Sequence, residues 1–269
     1  MTDLIATVGK KITERWLAAI LLPGLLYVAV IGWAVLAGQR HALDLPWLAN
    51  RLTGLWQQHT SSPGTAVVAI ATLLAAAGLA GVAATAAAED GVHRLWTIRG
   101  PQRWLDIRRR KTEARWQGRE PQPPRRYLPE RATAIGERFR LIGTRIEAQY
   151  GLSVTAAWPR IWILTDNDAR TLIGTAHRRY YTDTALAAWG LLYLPWTIRW
   201  WPAVVIAIAA LAVGYRRALA SSAVLATLIE ATVDAHTTGL AKTLGVDLPE
   251  GRLTPEEGNR INNILIKRA

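Results

Sequence analysis

Apolar residues fall along this chain in two patterns. Four stretches are apolar without a period, and two others are apolar on one face only. Residues 16–38 form an uncharged run of 23 and residues 65–88 one of 24. Either is long enough to cross a bilayer core of roughly 30 Å. Residues 184–198 and 202–215 are also apolar but shorter, and Arg199 lies between them among Trp196, Trp200, Trp201 and Pro202. A charge at mid-bilayer costs about 2.5–3.5 kcal/mol even on the mild insertion scale. The Arg–Trp cluster therefore predicts an interfacial turn between two short spans, not one long helix; a re-entrant hairpin is the alternative. The periodic stretches are different. Ile135, Phe139, Ile142 and Ile146 are spaced four, three and four, one face of a 3.6-residue period, predicting an amphipathic helix over 130–149 closed near Gly151. Beyond Arg216 and Arg217, Leu219, Val224, Leu225, Leu228, Ile229, Val233 and Leu240 predict a long helix ended by Gly245 and Pro249. Both apolar faces lie on segments expected in water, so they should dock on each other or form a binding face for another protein.

Smaller signals sit inside these stretches. The first run follows Lys10, Lys11 and Arg15 and contains Pro23 and Gly24, which membrane helices tolerate. A signal peptide cleaved after Ala37 is the rival reading, but the length of the run and the second span favour an uncleaved helix. In the second run Ala77, Gly81 and Thr85 recur every four residues, as do Ala76, Ala80, Ala84 and Ala88. Small residues at that spacing let a second helix approach closely. The Pro-rich residues 118–129 read as a linker. Trp158, Pro159, Arg160, Ile161 and Trp162 read as a segment under the membrane surface. Thr165 with Asp166 and Asp168 reads as a helix cap, since hard cations need more oxygen ligands than this pair offers.

Charge orients the spans. The formal net charge is +12. Residues 91–182 hold 19 Arg and Lys against 8 Asp and Glu, whereas residues 39–64 hold two Arg and one Asp. By the positive-inside rule the middle segment is cytoplasmic, and both termini with it. The expected fold is thus an all-α integral membrane protein of the plasma membrane, with four transmembrane helices in two hairpins and a small cytoplasmic helical module. Its expected parts are 1–90, the first membrane hairpin; 91–182, the basic cytoplasmic segment; 183–215, the second hairpin; and 216–269, a cytoplasmic helix and tail. Thirteen Trp against one Phe fit that picture, because Trp favours the membrane–water interface. There is no Cys, so neither a disulfide framework nor a thiolate site exists. Arg outnumbers Lys 27 to 5, which together with the abundant Ala hints at a GC-rich bacterial genome.

Candidate chemistry is sparse. Glu89 and Asp90 sit at the inner end of the second span, with His93 one turn beyond Glu89; Glu230 and Asp234 are one turn apart, with His236 close by. Convergence of these groups would give a metal or acid–base site. Ordinary pairing with the many Arg is the simpler reading. No HExxH, GxSxG or Walker-type sequence occurs, so no catalytic, metal or cofactor site is assigned. Trp104 with Arg108, Arg109, Arg110 and Lys111 forms a juxtamembrane cluster suited to anionic lipid headgroups; nucleic acid is disfavoured.

The helix over 131–150, Gly151-Leu152, Trp158 to Trp162, Trp189-Gly190-Leu191-Leu192-Tyr193 and the Glu230, Asp234, His236 set occur in this order. Together they resemble an uncharacterised family of multi-pass membrane proteins from actinobacteria and similar bacteria. The resemblance covers about 90–250 and implies a membrane location. It carries no activity or functional residue over. The expectation is a non-enzymatic anchor or scaffold, with the bilayer, a cytoplasmic protein or a second copy as partner. The alternatives are an oligomeric channel, transporter or pore-forming effector and, less favoured, a lipid-modifying enzyme. Few charges lie within the spans, which disfavours an ion-coupled path.

Overall fold

The computed structural model describes residues 22–59, 63–117 and 124–266. Over these the chain is helical and forms no strand; a lone antiparallel bridge pairs Arg99 with Arg131. In chain order the α-helices are α1 Leu22–Ala37, α2 Leu45–His59, α3 Pro63–Ala86, α4 His93–Thr97, α5 Gln102–Trp116, α6 Ala134–Tyr150, α7 Val154–Leu164, α8 Asn167–Tyr193, α9 Pro202–Thr243 and α10 Pro255–Ile266. A π-helical turn, Ala87–Val92, joins α3 to α4, and a 3₁₀ turn, Leu194–Ile198, follows α8. The beginning of the first apolar run, residues 16–21, and the linker residues 118–123 lie outside the described residues.

The chain divides into two compact units. The first takes the residues up to Val92 together with Ala185–Gly214, and the second His93–Thr184 with Tyr215–Ala269. Helices α8 and α9 each contribute residues to both.

In the first unit, glycine and alanine set the helix spacing. A Cβ on Gly24 of α1 would lie 2.0 Å from the Ala77 carbonyl oxygen of α3. The same holds where α8 meets α9: a Cβ on Gly190 would lie 2.9 Å from the Ala207 carbonyl, and one on Gly214 would lie 2.5 Å from the Ala187 nitrogen. Ala187, Ala203 and Ala207 are fully buried. On α3 and the π-helical turn that continues it, the covered residues include Ala77, Gly81, Ala84 and Ala88. Their spacing of four, three and four draws on both four-residue rows seen in the sequence. A strict row drifts off a contact face because four residues overshoot a 3.6-residue turn.

Polar handles on aromatic rings complete the unit. The Tyr27 hydroxyl donates to the Leu192 carbonyl (3.0 Å) and accepts from Trp196 Nε1 (3.1 Å). Trp200 Nε1 donates to the Ala42 carbonyl (3.0 Å). Gln39 bridges the turn around Arg199, donating to the Ile198 carbonyl and accepting from the Trp201 amide. The expected turn between 198 and 202 is therefore formed, with α9 beginning at Pro202.

Residues 45–59 differ from expectation. They belong to the stretch 39–64, which the sequence reading uses only for its charge as the connection inside the first hairpin, and they form the 15-residue α2. Asp44 is its cap, accepting from the Trp47 amide at 3.0 Å, and that bond with the nearby His41 holds the Asp44 carboxyl below its ordinary range. The helix leaves Leu45, Leu52 and Trp56 exposed.

Two helices, Gly64–Thr97 and Pro202–Thr243, are long and apolar enough to cross a membrane. Only 11% and 22% of their most apolar windows are buried, whereas the core helix of a water-soluble protein would be mostly covered.

In the second unit α6 is the central wedge. Thr133 caps it, accepting from the Gly136 amide (3.1 Å), and Gly151 at φ 63° ends it. Its apolar stripe docks on α9 as the sequence predicts: Ile142 and Ile146 share a buried cluster with Val233 and Leu240, and Ile135 shares one with Ala218 and Leu225. Phe139 packs against both clusters. The alternative of an open binding face is thereby removed for this stripe. Trp158 to Trp162, expected under the membrane surface, fall within α7, where Ala157 and Ile161 are fully buried in the same core. Helix α10 adds Ile261 and Leu265; at its start the Thr254 hydroxyl and amide both donate to the Glu257 carboxylate, which keeps that carboxyl below its usual range. Asp166 is the cap of α8, accepting from the Ala169 amide at 2.7 Å. Thr165, expected to share that task, instead donates to the Ile161 carbonyl at the end of α7.

Three substitutions test this packing. Gly214→Leu should lower the melting temperature of the purified protein, since overpacking costs about 1–3 kcal/mol, while Gly78→Leu, where an added Cβ meets nothing within 4 Å, should not. Ile146→Ala should cost about 2–5 kcal/mol in chemical denaturation, the range for truncating a buried aliphatic side chain.

Candidate functional site

The residues singled out in the sequence do not gather into one site. Glu230 accepts both guanidinium arms of Arg145, Nε to Oε1 and Nη2 to Oε2, each at 2.7 Å. Asp234, one turn on, accepts from the Tyr150 hydroxyl at 2.9 Å. His236 turns elsewhere, with Nδ1 at 2.9 Å from the Thr232 carbonyl, which makes that nitrogen the donor. Glu230 and Asp234 thus tie α9 to α6, and His236 closes on its own helix. Among the described residues no three acidic or imidazole groups gather closely enough to hold a metal ion.

His93 opens α4 in the second unit. Its Nδ1 lies 2.9 Å from the Tyr180 hydroxyl, and its ring meets Phe139, Tyr180 and Tyr181 with centroids 5.8–6.0 Å away. It is a polar member of an aromatic cluster. Asp90 lies in the π-helical turn and is exposed; Glu89 lies in the same turn.

The basic cluster on α5 separates into two groups. Trp104 Nε1 donates to the Ala132 carbonyl (3.0 Å), Arg108 to the Arg131 carbonyl (2.6 Å) and Arg109 to the Pro129 carbonyl (3.1 Å). These side chains fasten α5 to the segment preceding α6. Arg110 and Lys111 are exposed, as are Ile107 and the face of Trp104. The helix therefore presents two cations beside two apolar side chains.

The same use of arginine recurs around Glu137, a residue sequence reasoning passed over. Its buried carboxylate accepts from the Glu130 and Arg131 amides at 2.9 and 3.0 Å and pairs with Arg140. Arg140 in turn donates to the Arg126 and Leu128 carbonyls. Arg131 donates to the Thr97 carbonyl (2.7 Å), and Arg138 reaches the Leu219 carbonyl and the Ser222 hydroxyl. Only the spacing of Glu137 and Arg140, three apart on one helix, hinted at such a pair.

Tyr150 was also missed. Burial, with the Asp234 carboxylate beside it, pushes its hydroxyl up from the ordinary 10 to about 12. No family model matches this chain, and neither a curated protein nor a solved structure does.

Tyr150 supplies a pH test. Its pKa is raised on folding, so the folded chain keeps a proton that the unfolded chain releases. The resulting stability is intact below pH 10 and is lost as pH rises toward 12. Denaturation midpoints between pH 9 and about 12 should fall less steeply for Tyr150→Phe than for the parent; identical slopes would remove Tyr150 from the account. Glu230→Gln should cost about 1 kcal/mol or less, because the Arg145–Glu230 pair is partly exposed.

Proposed function

We propose that this chain is a multi-pass protein of a bacterial plasma membrane, crossing four times as two hairpins, with residues 91–182 and both termini in the cytoplasm. Its task on this reading is non-enzymatic: it anchors the helical second unit at the inner leaflet, where that unit recruits or scaffolds a partner. The observation that carries the reading is the uncovered apolar surface of Gly64–Thr97 and Pro202–Thr243, whose apolar windows are 11% and 22% buried. Such surface needs lipid around it. The cation surplus of 91–182 gives the orientation.

The other two crossings are shorter. Helix α1 continues an uncharged run that the sequence begins at Trp16. Residues 184–198 comprise the end of α8 and the 3₁₀ turn, and at 1.5–2 Å per residue they reach roughly 25 Å. That is close to the thickness of the hydrocarbon core, with the Trp cluster at 196–201 at its interface. The resemblance to multi-pass membrane proteins of actinobacteria agrees with this topology. On the inner side, Trp104, Ile107, Arg110 and Lys111 of α5 suit contact with anionic headgroups, each cation near the surface contributing about 1 kcal/mol.

Because the chain has no Cys, topology can be read from single introduced ones. Gln57→Cys should react with a membrane-impermeant maleimide on intact cells. Glu113→Cys and Glu256→Cys should react only after the membrane is opened. Labelling of position 113 from outside would reverse the orientation, and recovery of the chain in the soluble fraction would end the membrane reading.

A further inference from the structure

A cleft of about 540 Å³ lies between α8 and α9 within the second unit. Its α8 wall is Ala176, Arg179, Thr182 and Asp183, and its α9 wall is Arg217, Ala220, Ser221 and Val224. Each wall is one helical face, since the residues recur at spacings of three and four. The volume is that of a small-ligand site.

The polar groups of the cleft are unequal. The Thr182 hydroxyl donates to the Arg178 carbonyl and the Ser221 hydroxyl to the Arg217 carbonyl, so both protons are already used. Among the described residues the guanidinium groups of Arg179 and Arg217 make neither a hydrogen bond nor an ion pair, unlike Arg108, Arg109, Arg131, Arg138 and Arg140 of the same unit. Asp183 likewise has no partner among the described residues. Two cations and one carboxylate leave a net charge of +1, which one singly charged anion balances. Guanidinium groups bind phosphate oxygens as paired donors, and Asp183 can accept only from a hydroxyl or amine. The sequence also fixes the level of the cleft. Thr182 and Asp183 directly precede the apolar residues 184–198, and Arg217 follows 202–215 with only Arg216 between.

We propose that this cleft holds the headgroup of an anionic phospholipid, with Arg179 and Arg217 on the phosphodiester and Asp183 accepting from a headgroup hydroxyl, as a glycerol headgroup would offer. The inference rests on the membrane reading above. The shared chemistry is a phosphate anion, and a soluble phosphate is its other source. The lipid is favoured because the polar cleft begins where both apolar runs end, which is where headgroups lie.

The test uses the full chain in detergent and native mass spectrometry of lipid adducts. Phosphatidylglycerol, phosphatidylcholine and inorganic phosphate are the probes. The parent chain should retain one phosphatidylglycerol in preference to phosphatidylcholine, and inorganic phosphate in large excess should fail to displace it. Arg179→Gln and Arg217→Gln should each weaken retention about tenfold, and the double variant should abolish it. Ala220→Trp, which fills the cleft and leaves both cations, should do the same. Arg252→Gln with Arg260→Gln, two exposed cations outside the lining of the cleft, should leave the adduct intact. Unchanged retention in both the double variant and Ala220→Trp overturns the site. Displacement by inorganic phosphate at concentrations comparable to the lipid overturns the lipid as its ligand. Carbonate extraction of membranes, run in parallel, reads anchoring by itself: the double variant should stay in the membrane, and extraction of the parent chain would count against the membrane reading and not against the cleft.

Discussion

Close backbone contact at glycine and alanine is the constraint on which both units depend. In the first unit Gly24 sits on Ala77, Gly190 on Ala207 and Gly214 on Ala187. In the second, a Cβ on Gly136 would strike the Trp96 carbonyl, and one on Gly258 the Tyr150 carbonyl. At such spacing the short links become possible, among them Tyr27 to Leu192 and Thr133 to Trp96. In lipid this is also the mode of association expected, because apolar side chains gain nothing by leaving apolar surroundings and packing must do the work. Larger residues at these points would part the helices and break the polar links with them.

Much of this architecture could be read from the sequence, and the exceptions have physical reasons. The stripe of Ile135, Phe139, Ile142 and Ile146 specified both a helix and a partner, because two amphipathic faces of matching character cover each other within a small unit; α7 and α10 complete the same core. Arg199 among its Trp neighbours marked a turn. Helix α2 was overlooked although Asp44, Leu45, Leu48, Leu52 and Leu55 carry a cap and a period, since charge counting treated 39–64 only as a connection. Thr165 was taken as part of a cap because a Thr followed three residues later by an acid, Asp168, resembles a capping box; the two neighbouring helices, α7 and α8, each needed an end group, and Thr165 went to the first.

The candidate site was less legible. Glu230, Asp234 and His236 crowd the sequence, but on a helix His236 turns away from the other two. The partners of Glu230 and Asp234, Arg145 and Tyr150, lie 85 and 84 residues earlier in the chain. Spacing along one helix gives direction but not what the direction meets. Glu137 was passed over for the opposite reason: its role depends on main-chain amides at 130 and 131, which no sequence pattern distinguishes from any others. The open cleft between α8 and α9 likewise belongs to two faces separated by a hairpin, each unremarkable alone.

The arginines of the second unit hold carbonyl oxygens at helix ends and in connecting segments, at residues 97, 126, 128, 129 and 131, and one within α9, at residue 219. Here the guanidinium is used as a planar array of donors more than as a charge. A lysine would preserve the net +12 and still forfeit the second contact of Arg140 or Arg138, whereas citrulline, uncharged but of the same shape, would keep much of the donor pattern. The excess of Arg over Lys, 27 to 5, therefore has an architectural component beyond the base composition of a genome. In this chain the electrostatic field and the scaffold that carries it are chemically separable.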